Sequence, residues 1–272
     1  MKSTKLVVLF LMVILGFCWL CFAWSALADD AKARAIMEKV EARDDGDNRT
    51  AEMEMVLIDK NGNKRVRKIA TFSKDFGEDT YNLMFFQHPA DVKDTSFLTY
   101  DYDDPERDDD QWLYLPALKK TKRIASSDKS GSFMGSDLNY SDMTSRNLDD
   151  YDYTLKKEME VRGNKAWLIE SIPKNRDVIE ETGYTKSLLI VRQDIYMVVR
   201  AVSWEKDGGV LKYMDLKNIE KIDGIWVWTE MLVTRKRGKQ TIHQTMLNLN
   251  NVKFGKALSE DLFTTRRMEK GL

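Results

Sequence analysis

Few residues of this 272-residue sequence have the types and spacing that chemistry needs. Asp101, Asp103, Asp104, Glu106, Asp108, Asp109 and Asp110 crowd together and invite a calcium loop. Such a loop takes glycine at its sixth place and a bidentate glutamate at its twelfth. Counted from Asp101, those places hold Glu106 and Trp112, so the run reads as a solvated acidic turn. His88 precedes a proline and His243 sits in a strand pattern; neither has a Cys or His neighbour at metal-ligand spacing, and no G-x-S-x-G or H-E-x-x-H motif occurs. Both cysteines, Cys18 and Cys21, lie in an apolar N-terminal stretch. Acidic residues are plentiful, but spacing alone does not distinguish a catalytic carboxylate pair from surface charge. The expectation is a protein that is not an enzyme and carries no metal and no cofactor.

What remains is the chemistry of binding. Within Asp110 to Met143, the segment Gln111 to Leu115 sets Trp112 and Tyr114 on one face of an extended chain and Leu113 and Leu115 on the other. Pro116 ends regular pairing there. Lys119, Lys120, Lys122 and Arg123 follow, a cationic group suited to lipid headgroups, although a charge run is more often a solvated hairpin. Next comes a Ser/Gly-rich loop carrying two large apolar residues, Phe133 and Met134, between Gly131 and Gly135. They fit two readings. One is a plug that fastens the loop to the core; the other is a flap over an apolar site, since Gly and Ser permit movement and Met and Phe adapt to irregular hydrocarbon. Spacing does not choose between them.

The order W-L-Y-L-P-A-L-K-K-x-x-R-I from Trp112 to Ile124, followed by S-F-M-G-S-D-L-x-Y-x-D from Ser132 to Asp142, resembles the LolA-like outer-membrane lipoprotein-sorting protein family. The resemblance implies a mainly β fold with a few helices: a curved antiparallel sheet forming an incomplete β-barrel with a helical lid, like LolA and LolB. It implies acyl chains held on the concave side, and lipoprotein or lipid cargo carried across the periplasm. The implied partners are an RND-type inner-membrane exporter and an outer-membrane acceptor. It also implies an arginine on an inner strand that ties the lid shut, for which Arg65, Arg67 and Arg200 are all eligible.

The elements that must position these residues follow in chain order. Lys2 and Lys5, the apolar run from Leu6 to Trp24 and the small-x-small Ala26-Leu27-Ala28 match a secretory signal peptide, with cleavage expected before Asp29 and an uncleaved anchor as the competing reading. Phe17 and Leu20 precede the cysteines, where lipid attachment needs a small residue. Residues 29–272 are then expected to form a single periplasmic domain without disulfides. Losing Lys2 and Lys5 leaves 41 basic residues against 44 acidic ones, a balance that gives no argument for nucleic acid.

Asp29 and Asp30 cap a predicted helix from Ala31 to about Arg43, with Ala33, Ile36, Met37 and Val40 in one stripe. From Thr50 the period becomes two. A hairpin turns at Asp59 to Asn63, and a strand over Thr80 to Phe86 is apolar on both faces. Strands separated by tight turns then continue from Thr154 to Leu249, the pattern of an antiparallel meander. Leu262 and Phe263 are expected to clip the C-terminus to the sheet.

These readings converge on a carrier with an apolar cavity, Phe133 and Met134 at its mouth, and a lid. Met53, Met55, Leu83, Phe85, Trp112, Tyr114, Phe133 and Met134 are the candidate cavity or flap residues; Lys119, Lys120, Lys122 and Arg123 are the candidate headgroup contacts. A sensor, or an accessory subunit of an RND-type transporter, on the same scaffold is the alternative.

Overall fold

The computed structural model describes residues 29–272; the expected leader, residues 1–28 with both cysteines, lies outside the described residues. Thirteen strands form one sheet. The first six are β1 Asn48–Asp59, β2 Lys64–Phe76, β3 Asp79–His88, β4 Ser96–Asp101, β5 Asp110–Leu115 and β6 Lys120–Arg123. The rest are β7 Tyr151–Val161, β8 Asn164–Pro173, β9 Tyr184–Arg192, β10 Met197–Glu205, β11 Val210–Ile222, β12 Ile225–Arg237 and β13 Gln240–Phe254. Among the described residues three α-helices accompany them: α1 Ala31–Glu41, α2 Arg176–Thr182 and α3 Thr265–Lys270.

Along the sheet the order is β6-β5-β4-β3-β2-β1-β13-β12-β11-β10-β9-β8-β7. Two antiparallel meanders therefore meet where the first strand pairs with the last, Met53 beside Leu249 and Met55 beside Leu247. The sheet curves without closing, and its free edges are β6 and β7. Both edges carry lysines, which discourage pairing with another chain.

Alternation of side chains gives the sheet two faces, and both are covered over β3. On one, the lid face, Met84 and Phe86 join Met53, Met55, Leu57, Ile69, Phe97, Leu113 and Leu247 beneath residues 125–150, the segment linking β6 to β7. At the other end of this face α1 lays Ala33, Ile36 and Met37 on Tyr151, Tyr153, Ile169, Leu189 and Val191. Asp30 caps that helix by accepting the Lys32 N–H at 2.9 Å. On the opposite, outer face Leu83, Phe85 and Leu98 are covered by Phe263 and Met268 from the C-terminal turn and α3.

The expected helix, meander, double-faced β3 and C-terminal clip are all present. The sequence reading did not anticipate α2 or α3. α2 is only seven residues long, held by Asn175 accepting the Val178 N–H at 3.0 Å and by Gly183 ending it in the left-handed region at φ 81°. Neither it nor α3 is long enough to show a helical period.

Phe263 is 1% exposed and stacks edge-on against Phe76, 5.7 Å between ring centroids. Phe263→Ala is expected to cost about 3–5 kcal/mol in urea unfolding, the ordinary cost of emptying a buried aromatic site.

Candidate functional site

The loop that carries the motif is shaped by its own backbone. Ser132 pairs with Asn139, the Phe133 N–H donates to the Leu138 carbonyl at 2.7 Å, and the Ser136 N–H returns to the Phe133 carbonyl at 2.9 Å. This small hairpin points Phe133 down. The side chain is 1% exposed, with ring centroids 4.9 Å from Phe97, 5.6 Å from Tyr140 and 6.2 Å from Phe86. In this state Phe133 is the plug, not a raised flap. Met134 beside it has φ 51° and Gly135 φ 72°, two successive left-handed residues. Gly135 adopts that conformation freely, whereas Met134 is strained there, and strain of this kind costs on the order of 1–3 kcal/mol.

The strained turn aims the Met134 carbonyl at the guanidinium of Arg67, which donates to it. Arg67 comes from β2, in register with Met55 on the lid face, is 8% exposed and lies 5.9 Å from the Phe86 ring centroid. Among the described residues no carboxylate forms an ion pair with it. Burial, and after it the charge of Arg65, lowers its proton affinity. Of the three arginines eligible to tie the lid, Arg67 is the one that reaches the loop; Arg65 is exposed and Arg200 bonds Asp215 at 2.9 Å.

The two motif carboxylates dock on a polar seam that crosses the lid face. Ser171, Ser187, Ser203, Lys212, Arg235 and His243 are successive register partners from β8 to β13. Asp137 Oδ2 meets His243 Nδ1 at 2.7 Å and accepts the Thr245 hydroxyl at 2.7 Å, while its own N–H donates to Thr245 Oγ1 at 2.9 Å. Asp142 accepts Lys212 Nζ at 3.1 Å, the Asn139 N–H at 2.8 Å and the Tyr184 hydroxyl at 2.9 Å. Burial opposes ionisation of Asp142, but Lys212, the Asn139 N–H, Arg146 and Tyr184 outweigh it and hold its carboxyl below the ordinary range. Burial and the Asp142 charge push the Tyr184 phenol well above its usual value, so it stays a donor. Lys129, at the start of the loop, reaches Glu181 of α2 at 2.6 Å. The loop is thus clamped at several points along its length and latched at its tip by Arg67.

The structure divides the expected cavity residues. Met53, Met55, Phe133 and Met134 come together on the lid face. Leu83, Phe85, Trp112 and Tyr114 lie on the outer face around Phe263 and Met268. The eight candidate cavity or flap residues therefore do not share one face: β3 and β5 place alternate residues on opposite faces, and the sequence does not say which alternation faces the lid. The expected apolar hollow with Phe133 and Met134 at its mouth is filled in this structure by the Phe133 ring and its neighbours. The larger cavity, about 600 Å³, is polar and lies among α1, the β4–β5 loop and the segment entering β7, with Glu41, Asp75, Glu78, Asp103, Lys129 and Arg146 in its wall. Asp101 in that wall has its pKa raised to about 7 by burial and the charge of Asp109. An apolar groove of about 410 Å³ runs on the outer face over Leu168, Leu188, Ile190, Val202 and Leu232. Phe133 and Met134 line neither. Of the cationic group, Lys119 and Lys120 are exposed at the β5–β6 tip, Lys122 pairs with Asp128 at 3.1 Å, and Arg123 pairs with Asp110.

Sequence reasoning missed the seam. Its signal is the polar residue that interrupts an apolar alternation, such as Ser187 two places before Leu189 or Thr245 two places before Leu247.

A family model described as "uncharacterized protein" matches residues 78–270. No curated protein sequence matches the chain. Crystal structures do. One, described as an outer membrane lipoprotein-sorting protein domain from Vibrio parahaemolyticus, is 31% identical, with a TM-score of 0.78 over 88% of this chain and 98% of that one. A DUF1329 family protein from Desulfovibrio piger is 32% identical, with a TM-score of 0.80 over 89% and 99%. A LolA superfamily protein from Nitrosomonas europaea, 18% identical with a TM-score of 0.64 over 86% and 98%, shares the fold.

Lys212→Met leaves Asp142 buried without its cation and is expected to cost about 3–5 kcal/mol in urea unfolding. Lys212→Met with Asp142→Leu is expected to recover more than half of that, a coupling read from the double-mutant cycle. Because the folded pKa of Asp142 is depressed, its contribution is complete above the ordinary carboxylate pKa and disappears as pH falls through the folded value. The penalty of Asp142→Asn should therefore shrink in acid.

Proposed function

Because the chain belongs to the LolA-like outer-membrane lipoprotein-sorting protein family, we propose that it is a periplasmic carrier that shelters acyl chains of lipoproteins or lipids on the lid face, beneath residues 125–150. The observation that carries this reading is the Arg67 latch. A single charge-assisted hydrogen bond to one neutral carbonyl is a weaker tie than the carboxylate clamps, and the charge of Asp91 only partly offsets the burial of the guanidinium. The residue that supplies the carbonyl, Met134, is itself strained. The strain is relieved when the loop tip lifts and a single hydrogen bond opposes that movement, so the closed lid opens at that end while the buried carboxylates keep the rest of the loop attached.

Opening lifts Phe133 away from Met55, Ile69, Phe86 and Phe97 and exposes an apolar bed. Hydrocarbon can replace the ring there. Each methylene buried is worth about 0.8 kcal/mol, so a few carbons compensate for the displaced ring without any catalytic group. Methionines at this bed, Met53, Met55 and Met84, adapt to chains of different shape. Release then depends on an acceptor with greater affinity, because the chain has no nucleotide-binding motif to drive transfer. On this reading Met53, Met55, Phe133 and Met134 contact cargo, and an inner-membrane exporter and an outer-membrane acceptor are the partners between which it passes.

Removing the latch shifts the lid toward its open form, and apparent affinity scales with the open fraction. Arg67→Ala is expected to tighten binding of a fluorescent fatty acid by about tenfold, the effect of one charge-assisted hydrogen bond. Mass spectrometry of the wild-type protein purified from periplasm should find co-purifying lipid. Absence of lipid together with no fatty-acid binding by either protein would refute the carrier role.

A further inference from the structure

The antiparallel order places four hairpin ends side by side along one rim of the sheet: β5–β6, β3–β4, β1–β2 and β12–β13. Each presents exposed cations. Lys119 and Lys120 stand on the first, Lys93 on the second, Lys60, Lys64 and Arg65 on the third, Arg237 and Lys239 on the fourth. Among the described residues none of these eight forms an ion pair, and the acids on the same four turns are Asp59, Asp91 and Asp94. Three large apolar residues of the described chain are conspicuously exposed, and two are on this rim: Leu118 at 62% and Val66 at 37%.

The opposite rim has the reverse charge. The segment before β1, the β2–β3 turn and the β4–β5 loop bring Asp45, Asp47, Glu78, Asp103, Asp104 and Asp108 together there. At about 3.3 Å per residue, strands of six to thirteen residues hold the two rims roughly 20–40 Å apart. The screening length at physiological ionic strength is about 8 Å. A negative surface approached by the basic rim therefore feels that rim and scarcely the distant acidic one, although the chain's net charge is only −1.

We infer that this rim is a docking edge for an anionic lipid bilayer. Seven strand spacings separate β6 from β12, a line roughly 34 Å long. A line of hairpin tips suits a plane better than a cleft, and cations interleaved with exposed Leu and Val suit the headgroup layer, where charge attracts and apolar side chains insert. The same rim holds the Arg67 end of the lid, two residues from Arg65, so docking brings the latch to the lipid surface. The docking does not depend on the lid's opening to cargo.

The test is co-sedimentation with vesicles of phosphatidylcholine, with and without phosphatidylglycerol. The protein is expected to bind only the anionic vesicles and to be released by salt. Two independent charge reversals, Lys64→Glu with Arg65→Glu and Arg237→Glu with Lys239→Glu, should each weaken binding by about tenfold or more. Lys157→Glu with Lys165→Glu, an equal change of net charge away from the rim, should leave binding intact. Circular dichroism melts check that every variant folds. Absence of binding to anionic vesicles, equal loss in the control variant, or retention of an acidic polypeptide such as polyglutamate in place of vesicles would overturn the inference. Fatty-acid binding measured on the same rim variants keeps a failure here distinct from a failure of the carrier reading.

Discussion

A carboxylate buried against a β-sheet must be met by donors, and in this protein that requirement positions the lid. Asp142 lies on Lys212, Tyr184 and the Asn139 N–H, and Asp137 on Thr245 and His243. Removing either acid's partners would strand a charge in a low-dielectric interior at a cost comparable to a large part of a domain's total stability. The loop between β6 and β7 therefore has one way to lie, and the position of Phe133 and the reach of Arg67 follow from it. Of the polar seam across β8 to β13, Lys212 and His243, with Thr245 beside it, receive the loop's carboxylates, while Ser187 bonds Ser203 and Arg235 bonds Glu205.

The clamp and the latch differ in kind. The clamp pairs full charges with several hydrogen bonds each. The latch sets one charge against one neutral carbonyl on a strained residue. Between them lies Phe133, whose burial is purely apolar and can be matched by any hydrocarbon of similar volume. A loop held firmly at its carboxylates and weakly at its tip hinges on the former and opens at the latter. That division of labour makes an exchangeable cover out of what is otherwise a closed core.

Much of the architecture was legible because short strands separated by Gly- and Asp-containing turns leave a strong period of two. The stripe of Ala33, Ile36 and Met37 was equally plain. The pairing of β1 with β13 was not, since nearly the whole chain separates Met55 from Leu247 and no local pattern records the contact. That Trp112, Tyr114, Leu83 and Phe85 face away from the lid is illegible for a related reason: alternation shows that a strand has two faces without showing which one receives the lid. The C-terminal clip is legible in Leu262 and Phe263, but no local pattern records that Phe263 and Met268 occupy the face behind β3 to β5. Lys212 is the hardest case, since a lysine in a strand reads as solvent-facing unless its buried partner, seventy residues earlier, is known.

The central claim is that hydrocarbon takes the place of the Phe133 ring beneath a lid that opens at its tip. Phe133→Trp puts a reporter at that spot, and fatty acids brominated along the chain quench tryptophan only on contact. If the account holds, brominated chains will quench the new tryptophan saturably, at the concentration that fills the site, and unbrominated chains will shift its emission without quenching it. Fatty acid that binds while the emission of Trp at position 133 stays unchanged would place hydrocarbon elsewhere on the protein and contradict the account.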